Sequence, residues 1–304
     1  MLFWELAYER CGDAIHMALH GLDAAQPPSP AKAKAMLDAI GGTWWNVYIG
    51  GPEATVTWTP AQVTAYEQQG ISTFLLCYVG RQSGEVSRLT TGQGERDGEA
   101  ACQLAKDFGM AAAGTPLCLD LELRTFEAAP GASLDYAGAW CSAVRAAGLR
   151  PGVYANPAPL TALHARAARP DWVWIASWTR HGVNPDADPH QAEGVAANFW
   201  PGQGQRAWQY AGAFGGSACQ VGGLDVDIDV ADAACLVSRN GPVIPNGHPH
   251  PAGHTYTVQA GDTLAAIARR LGIAGGWQAL YALNRAVIGP DPDLIRPGEV
   301  LQLP

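Results

Sequence analysis

Two stretches of the chain set acids between aliphatic residues at a spacing of two. Residues 116–124 read PLCLDLELR, with Asp120 and Glu122 among leucines; residues 224–230 read LDVDIDV, with Asp225, Asp227 and Asp229. On an extended strand successive side chains alternate between faces. Leu117, Leu119, Leu121 and Leu123 then share one face, and Cys118, Asp120 and Glu122 the other. Leu224, Val226, Ile228 and Val230 likewise oppose the three aspartates. A further acid, Asp23, ends the stretch ALHGLD. Carboxylates gathered in one cavity cannot all ionise cheaply, so at least one is expected to keep its proton near neutrality. An undissociated acid beside ionised partners is what glycosidic-bond hydrolysis uses. Ion pairs with arginine are one alternative, disfavoured because arginine is scarce in these stretches. An oxygen-ligated Mg or Ca site is the other. The reading adopted assigns no metal and no cofactor.

Something must hold these acids level. Apolar runs of strand length fall at about Ala18–Asp23, Trp44–Ile49, Thr73–Val79, Leu117–Leu123, Gly152–Asn156, Trp172–Trp178, Ala207–Ala211 and Leu224–Val230, with helical stretches between most of them. SPAKAKAMLDAIGG offers Ser29 as N-cap, Pro30 at the first helical position and Gly41 as stop; TPAQVTAYEQQG repeats that grammar with Thr59, Pro60 and Gly70. SLDYAGAWCSAVRAAG offers Ser133 as cap and Gly148 as stop. Eight strands alternating with helices predict an α/β fold, a parallel (β/α)8 TIM-like barrel. Leucines then face the helices, and the acids point inward and rise to the C-terminal mouth. Strands one and eight are neighbours in a closed barrel, so Asp23 meets Asp225, Asp227 and Asp229, with Asp120 and Glu122 across the opening.

Aromatic and amide side chains crowd the same strand ends: Tyr48, Tyr78, Tyr154 with Asn156, Trp178, and Gln209 with Tyr210. Rings stack on the apolar faces of sugars and tyrosine hydroxyls orient them, so these residues are the expected substrate contacts. Trp172 and Trp174 alternate with Val173 and Ile175, and some of the rings must be core.

The chain has 304 residues, 48% hydrophobic and 15% charged, with a net charge of −9. That balance argues against a nucleic-acid partner. No stretch reaches the roughly 18 apolar residues that span a bilayer. Residues 1–16 read as an N-terminal extension without a recognisable signal peptide, residues 17–238 as the barrel, and residues 239–254, RNGPVIPNGHPHPAGH, as a linker. The seven cysteines show no C-x-x-C pairing and read as small buried thiols of a reducing compartment.

Residues 255–304 resemble a LysM module through TVQAGDTLAAIA, Asn284 at the end of a second helix, and IRPGEVLQLP. The resemblance implies a small βααβ fold that binds N-acetylglucosamine-containing glycan. The groove would lie between Gly261, Asp262, Thr263 and Leu264 and the segment from Asn284 to Ile295. Asp262, Thr263 and Asn284 can equally serve as helix caps. Acids and arginines balance within this piece, so the acidic excess belongs to the barrel.

The segment HGLDAAQPPSPAKAKAMLDAIGGTWWNVYIGG, with LDLEL, GVYAN, VWIASW, AWQY and LDVDIDVA, resembles the glycoside-hydrolase-like barrel domains, which are similar in turn to family 25 lysozymes. That resemblance implies catalytic roles for Asp23, Asp120, Glu122 and Asp227. Glu122 would be the general acid, and Asp120 would act on the N-acetyl group or the oxocarbenium-like centre. The expected function is a peptidoglycan muramidase targeted by its LysM module. It would be made in the cytoplasm and released as an endolysin, or secreted by another route. The alternative is a wall-binding or wall-remodelling protein with a degenerate barrel.

Overall fold

The structure, a computed structural model, describes residues 18–304 apart from 25, 82, 179–181, 185, 193, 196–198, 201–205, 213–218, 240, 244–254, 259–261, 265–266, 268–275, 290, 293 and 303–304. The chain runs β1 (Ala18–Asp23), α1 (Pro30–Ile40), β2 (Trp44–Gly50), α2 (Pro60–Glu67), β3 (Thr73–Val79), α3 (Thr91–Asp107), β4 (Pro116–Asp120), α4 (Leu123–Ala128), α5 (Pro130–Ala146), β5 (Arg150–Ala155), α6 (Pro157–His164), β6 (Trp172–Ala176) and β7 (Arg206–Ala211). A hairpin of β8 (Gln220–Val221) and β9 (Leu224–Asp225) precedes β10 (Asp227–Asp232). Strands β1 to β7 and then β10 pair in that order, β10 pairs back to β1, and the expected eight-stranded barrel closes.

One strand departs from the all-parallel expectation. β10 is antiparallel to both of its neighbours, β1 and β7. A parallel return needs a crossover of a dozen or more residues, usually helical. The span 212–223 is barely that long and five of its residues are glycine. The chain turns back instead through the β8–β9 hairpin, where Gly222 and Gly223 both take positive φ (59° and 75°), the backbone that a two-residue primed turn requires. The predicted strand Leu224–Val230 is therefore split, with Val226 between β9 and β10.

Alternation along the strands builds two cores. Outward residues such as Leu22, Val47, Leu76, Leu119, Val153, Ile175 and Val230 pack under the helices. Inward residues Leu19, Trp44, Leu75, Cys77, Cys118, Trp172, Trp174, Ala207 and Ala231 fill the barrel. The indoles leave room for nothing else: a Cβ on Gly21 would sit 2.1 Å from Trp44, and one on Gly152 2.1 Å from Trp172. Six cysteines (77, 102, 118, 141, 219 and 235) are buried free thiols.

The helix signals hold with one correction. Thr59 and Gln62 form a reciprocal capping box, and Gly41 closes α1 at φ 66°. Ser133 is not a cap, because α5 starts at Pro130 and buries Ser133, whose hydroxyl donates to the Thr125 carbonyl. The barrel also continues past residue 238. Val237 pairs with Phe74 of β3, β11 (Val237–Ser238) pairs with β12 (Gly241–Pro242), and Arg239 donates to the Phe108 carbonyl and to Glu67.

A buried ion pair fixes the top of β3. Arg81 donates to Asp97 of α3 at 2.9 Å, and Tyr136 of α5 donates to the same carboxylate at 2.8 Å. Removing one partner leaves a buried charge uncompensated. Asp97→Ala is expected to cost about 3–5 kcal/mol, read as a fall in denaturant midpoint. A loss under ~1 kcal/mol, the value of an exposed pair, would show that water reaches Arg81.

Candidate active site

The reversal of β10 decides which of its aspartates reaches the mouth. In a parallel strand Asp229 would stand highest. Running the other way, β10 begins at the mouth, and Asp227 is the register partner of Asp23. Asp229 lies one layer lower, opposite Gly21, fully buried, and accepts a hydrogen bond from Trp174 Nε1 at 2.9 Å. Its Oδ2 has no partner. Burial, then Asp23 and Asp227, push its carboxyl well above the ordinary range, against the indole bond. Asp225 does not join them: it is exposed on β9 and accepts from Gln220 at 3.1 Å.

Asp23 is buried and accepts from Asn46 Nδ2 at 3.0 Å, Tyr48 Oη at 2.9 Å and Gln209 Nε2 at 3.3 Å. Burial first, and Asp227 second, lift its pKa from 3.8 to about 7, against the pull of Asn46 and Tyr48. Gln209 binds on both sides. Its Oε1 accepts from Tyr154 Oη and Trp178 Nε1, each at 2.8 Å, and its Nε2 also donates to Asp227 at 3.2 Å. Two donors on one end leave the amide no alternative orientation, so its N–H groups face the two carboxylates.

Asp120 ends β4 and is nine-tenths buried; its Oδ1 has no partner. Burial, Glu122 and Asp23 raise it well above the usual carboxylate range. Glu122 departs from expectation, for the strand stops at Asp120 and Glu122 takes the N-cap position of α4, exposed on the rim. Enclosure by the surrounding protein still raises its pKa, while Arg124 lowers it. Asp120 and Glu122 line a cavity of about 280 Å³ with Tyr48, Glu53, Ala54, Thr55, Val56 and Val79. Burial and then Asp120, Glu122, Asp23 and Asp227 all push the Tyr154 hydroxyl upward, so one phenol senses the four acids together.

Two of the expected sugar contacts face the wrong way. Tyr78 and Tyr210 are buried in the outer core, Tyr78 beside Trp140 and Tyr210 beside Trp208. Each sits one residue off its strand's inward series, which holds Cys77 and Gln209. Asn156 is half-buried ahead of α6 and donates to the Ala176 carbonyl. Trp178 is 41% exposed with its indole N–H anchored on Gln209, a fixed ring at the opening. The sequence reading overlooked Asn46 and Glu53; strand alternation with Trp44 and Tyr48 would have turned Asn46 inward. Among the described residues, no group of three His, Cys, Asp or Glu side chains is placed to hold a metal ion.

In the C-terminal piece, β13 (Thr255–Thr257) pairs antiparallel with β14 (Val300–Gln302), and α7 (Gly276–Ile288) packs with them. Tyr256 Oη donates to Asp262 at 2.6 Å. Leu264 is core, not groove. Asn284 is buried too, bonded to the Leu280 carbonyl at a non-helical φ of −110°, which makes it a backbone anchor at a kink. Thr263 Oγ1 aside, its carbonyl accepts from Ile267 N, and Ile295 packs partly buried on the core. Gly261 lies outside the described residues.

The chain belongs to the Rv2525c-like, glycoside hydrolase-like domain family, which it matches over residues 36–232. Residues 256–304 match the LysM domain. An uncharacterized B. stearothermophilus protein superposes with a TM-score of 0.50 at 18% identity, over 70% of this chain and 96% of that one. The Mycobacterium tuberculosis Tat-secreted protein Rv2525c, in complex with L-tartrate, gives 0.46 at 15%, over 70% and 93%. The catalytic domain of endolysin ply40 from Listeria monocytogenes bacteriophage P40 gives 0.47 at 15%, over 72% and 96%. No curated protein matches the chain.

Folding favours the protonated form of Asp23, because its pKa rises from 3.8 to about 7. That contribution is complete below the unfolded value and is lost as pH climbs through about 7. The wild type should therefore lose stability between pH 4.5 and 8, with a share from Asp23 on the order of 3 kcal/mol. Asp23→Asn should show a clearly smaller loss in urea melts at the two pH values. Equal losses in the two proteins would mean that Asp23 titrates normally.

Proposed function

We propose that the chain is a peptidoglycan N-acetylmuramidase. In this reading the barrel, residues 17–238 with the segment to Val243 docked on it, carries the chemistry. The LysM module, residues 255–304, holds the wall, and the intervening residues link them. The observation that supports it most is one mouth in which Gln209 donates to both Asp23 and Asp227, and in which Tyr48, bonded to Asp23, lines a cavity with Asp120 and Glu122. Wall glycan as partner rests on the LysM match, and the glycosidase class on the family.

The division of labour follows from exposure. Glu122 stands on the rim, where enclosure raises its pKa, so it holds its proton more tightly than an ordinary glutamic acid and meets the substrate. It is the general acid that protonates the departing glycosidic oxygen. Asp120, buried below it, faces the acetamido group and the positive charge that develops at the anomeric carbon. Asp23 and Asp227, held together by Gln209, are the acids on the other side of the opening. Trp178 gives the sugar an aromatic floor. Free buried thiols fit manufacture in a reducing compartment, which suits endolysin-like release to the wall.

Glu122→Gln keeps the shape and removes the transferable proton. It should lower reducing-sugar release from purified peptidoglycan by about 10²–10⁴-fold while wall pull-down is unchanged. A wild-type protein that binds the wall but releases no reducing sugar across a broad pH range would make the barrel a glycan holder and not an enzyme.

Deleting residues 255–304 tests the second module. Wall binding should weaken, and cleavage of soluble glycan fragments should persist. Loss of both would show that the barrel depends on the module.

A further inference from the structure

The end of the barrel opposite the mouth carries another cavity, of about 510 Å³, with the reverse charge. It lies where Arg150 opens β5, where Asp171 precedes β6, and where α5 and α6 end in Arg145 and His164. Arg145, Arg150, Arg169 and His164 line it, and Asp171 is the one acid among the described residues that do so. Three guanidiniums against one carboxylate leave two positive charges, on a chain whose net charge is −9. Cations at helix C-termini answer the helix dipole, which accounts for Arg145 and His164 but not for Arg150 and Arg169. Asp171 is spent on Arg145, whose Nη2 and Nε donate to its Oδ1 at 2.6 and 3.2 Å. Arg169 is exposed and held from two sides. Its Nη1 donates to His164 Nε2 at 3.3 Å, and its guanidinium lies 6.0 Å from the Trp200 ring centre. Buried Trp200 is the one described residue other than glycine with a positive φ, 51°. That is a costly backbone for a bulky side chain, and it sets the indole against Arg169 and the His164 ring.

A guanidinium offers five N–H donors in a planar fork. Among the described residues, Arg145 Nη1 and Arg169 Nε and Nη2 donate to no protein group. Arg150 adds its charge while its Nη1 donates to the Ala234 carbonyl at 2.9 Å. Such forks match the oxygens of carboxylates and phosphates. Phosphate answers this cavity better. A planar carboxylate occupies one fork, as Asp171 already does, whereas a phosphate presents oxygens to guanidiniums that arrive from separate elements. The cavity is far larger than a phosphate group, so the ligand brings a second part. The apolar members of the lining are Ala167, Pro170 and Trp200, and the last two are buried. They form no wall for an acyl chain, and a hydroxyl-rich sugar or polyol suits the remainder. We infer that this face binds a phosphodiester-linked sugar or polyol chain borne by the wall, with Arg169 as the residue that takes the phosphate. The site stands clear of the mouth, so it adds a point of attachment to the proposed function and does not depend on catalysis.

The test is calorimetric titration of the full-length protein with a glycerol phosphate hexamer at low salt, where exposed charges are least screened. The wild type should bind, and Arg169→Gln should bind about tenfold more weakly. Arg169→Lys keeps the charge and loses the fork, so it should recover only part of that loss. No binding by the wild type, or equal binding by Arg169→Gln in a folded protein, overturns the inference. Inorganic phosphate at the same phosphate concentration should bind more weakly than the hexamer; equal affinity would strike out the polyol. Phosphatidylglycerol vesicles should also bind more weakly. Tighter binding to vesicles, lost in Arg169→Gln, would overturn the wall source in favour of a lipid headgroup. Walls stripped of phosphodiester chains with hydrofluoric acid should retain less wild-type protein than intact walls, and retention indifferent to stripping would overturn the wall assignment. Reducing-sugar release from the stripped walls is read in parallel. Hexamer binding without release leaves this site standing and sinks the muramidase reading. Release without hexamer binding does the reverse.

Discussion

Asp23 and Asp227 are register partners on antiparallel strands, and the barrel closes on them. Like charges directly opposite one another destabilise a sheet, and these two lie in a partly desolvated mouth. Two responses are visible. One is protonation, since the Asp23 pKa is lifted to about 7. The other is Gln209, which is pinned by Tyr154 and Trp178 and aims both amide hydrogens between the carboxylates. Strands β1, β2, β5, β7 and β10 and the segment after β6 each supply a member of this set. The seam where the barrel closes is thus the same place where its acids meet.

That seam tolerates its charge because the layer beneath is apolar and rigid. Trp44, Trp172 and Trp174 fill the interior, with glycines cut away opposite two of them. A barrel packed this way cannot relax by sinking its acids, so their repulsion is answered by proton uptake and hydrogen bonds and not by movement. Asp229 marks the boundary. It is the deepest acid, one of its oxygens is held by Trp174 and the other is unpaired, so the neutral carboxyl is the stable form there.

Much of this was legible in the sequence. Alternation placed all eight strands and turned Asp23, Asp120, Asp227 and Asp229 inward. The Thr59 cap and the Gly41 stop were read from local chemistry, because caps are set by a few adjacent residues. The direction of β10 was missed although its cause is local too: the span 212–223 is barely long enough for a helical return and is rich in glycine. Glu122 was placed on a strand because period-two patterning does not say where pairing ends; Leu121 still bonds to Tyr154, and the chain then enters α4. Tyr78 and Tyr210 were assigned by residue type, when their position next to inward Cys77 and Gln209 already sent them outward. The roles of Gln209 and Asn46 were not legible, since each depends on partners from strands far away in the chain.

The split between Asp120 and Glu122 follows from that misplaced strand end. Had β4 continued, both acids would point into the barrel at adjacent layers, and mutual repulsion would fall on two buried groups. Ending the strand at Asp120 lets the chain turn outward, so Glu122 reaches the rim while Asp120 stays below. One acid is then wet enough to exchange its proton with a substrate, and the other is held dry beneath it. The same turn opens the 280 Å³ cavity towards the β2–α2 loop. Glu53 therefore faces the two acids across space that a longer strand would have closed.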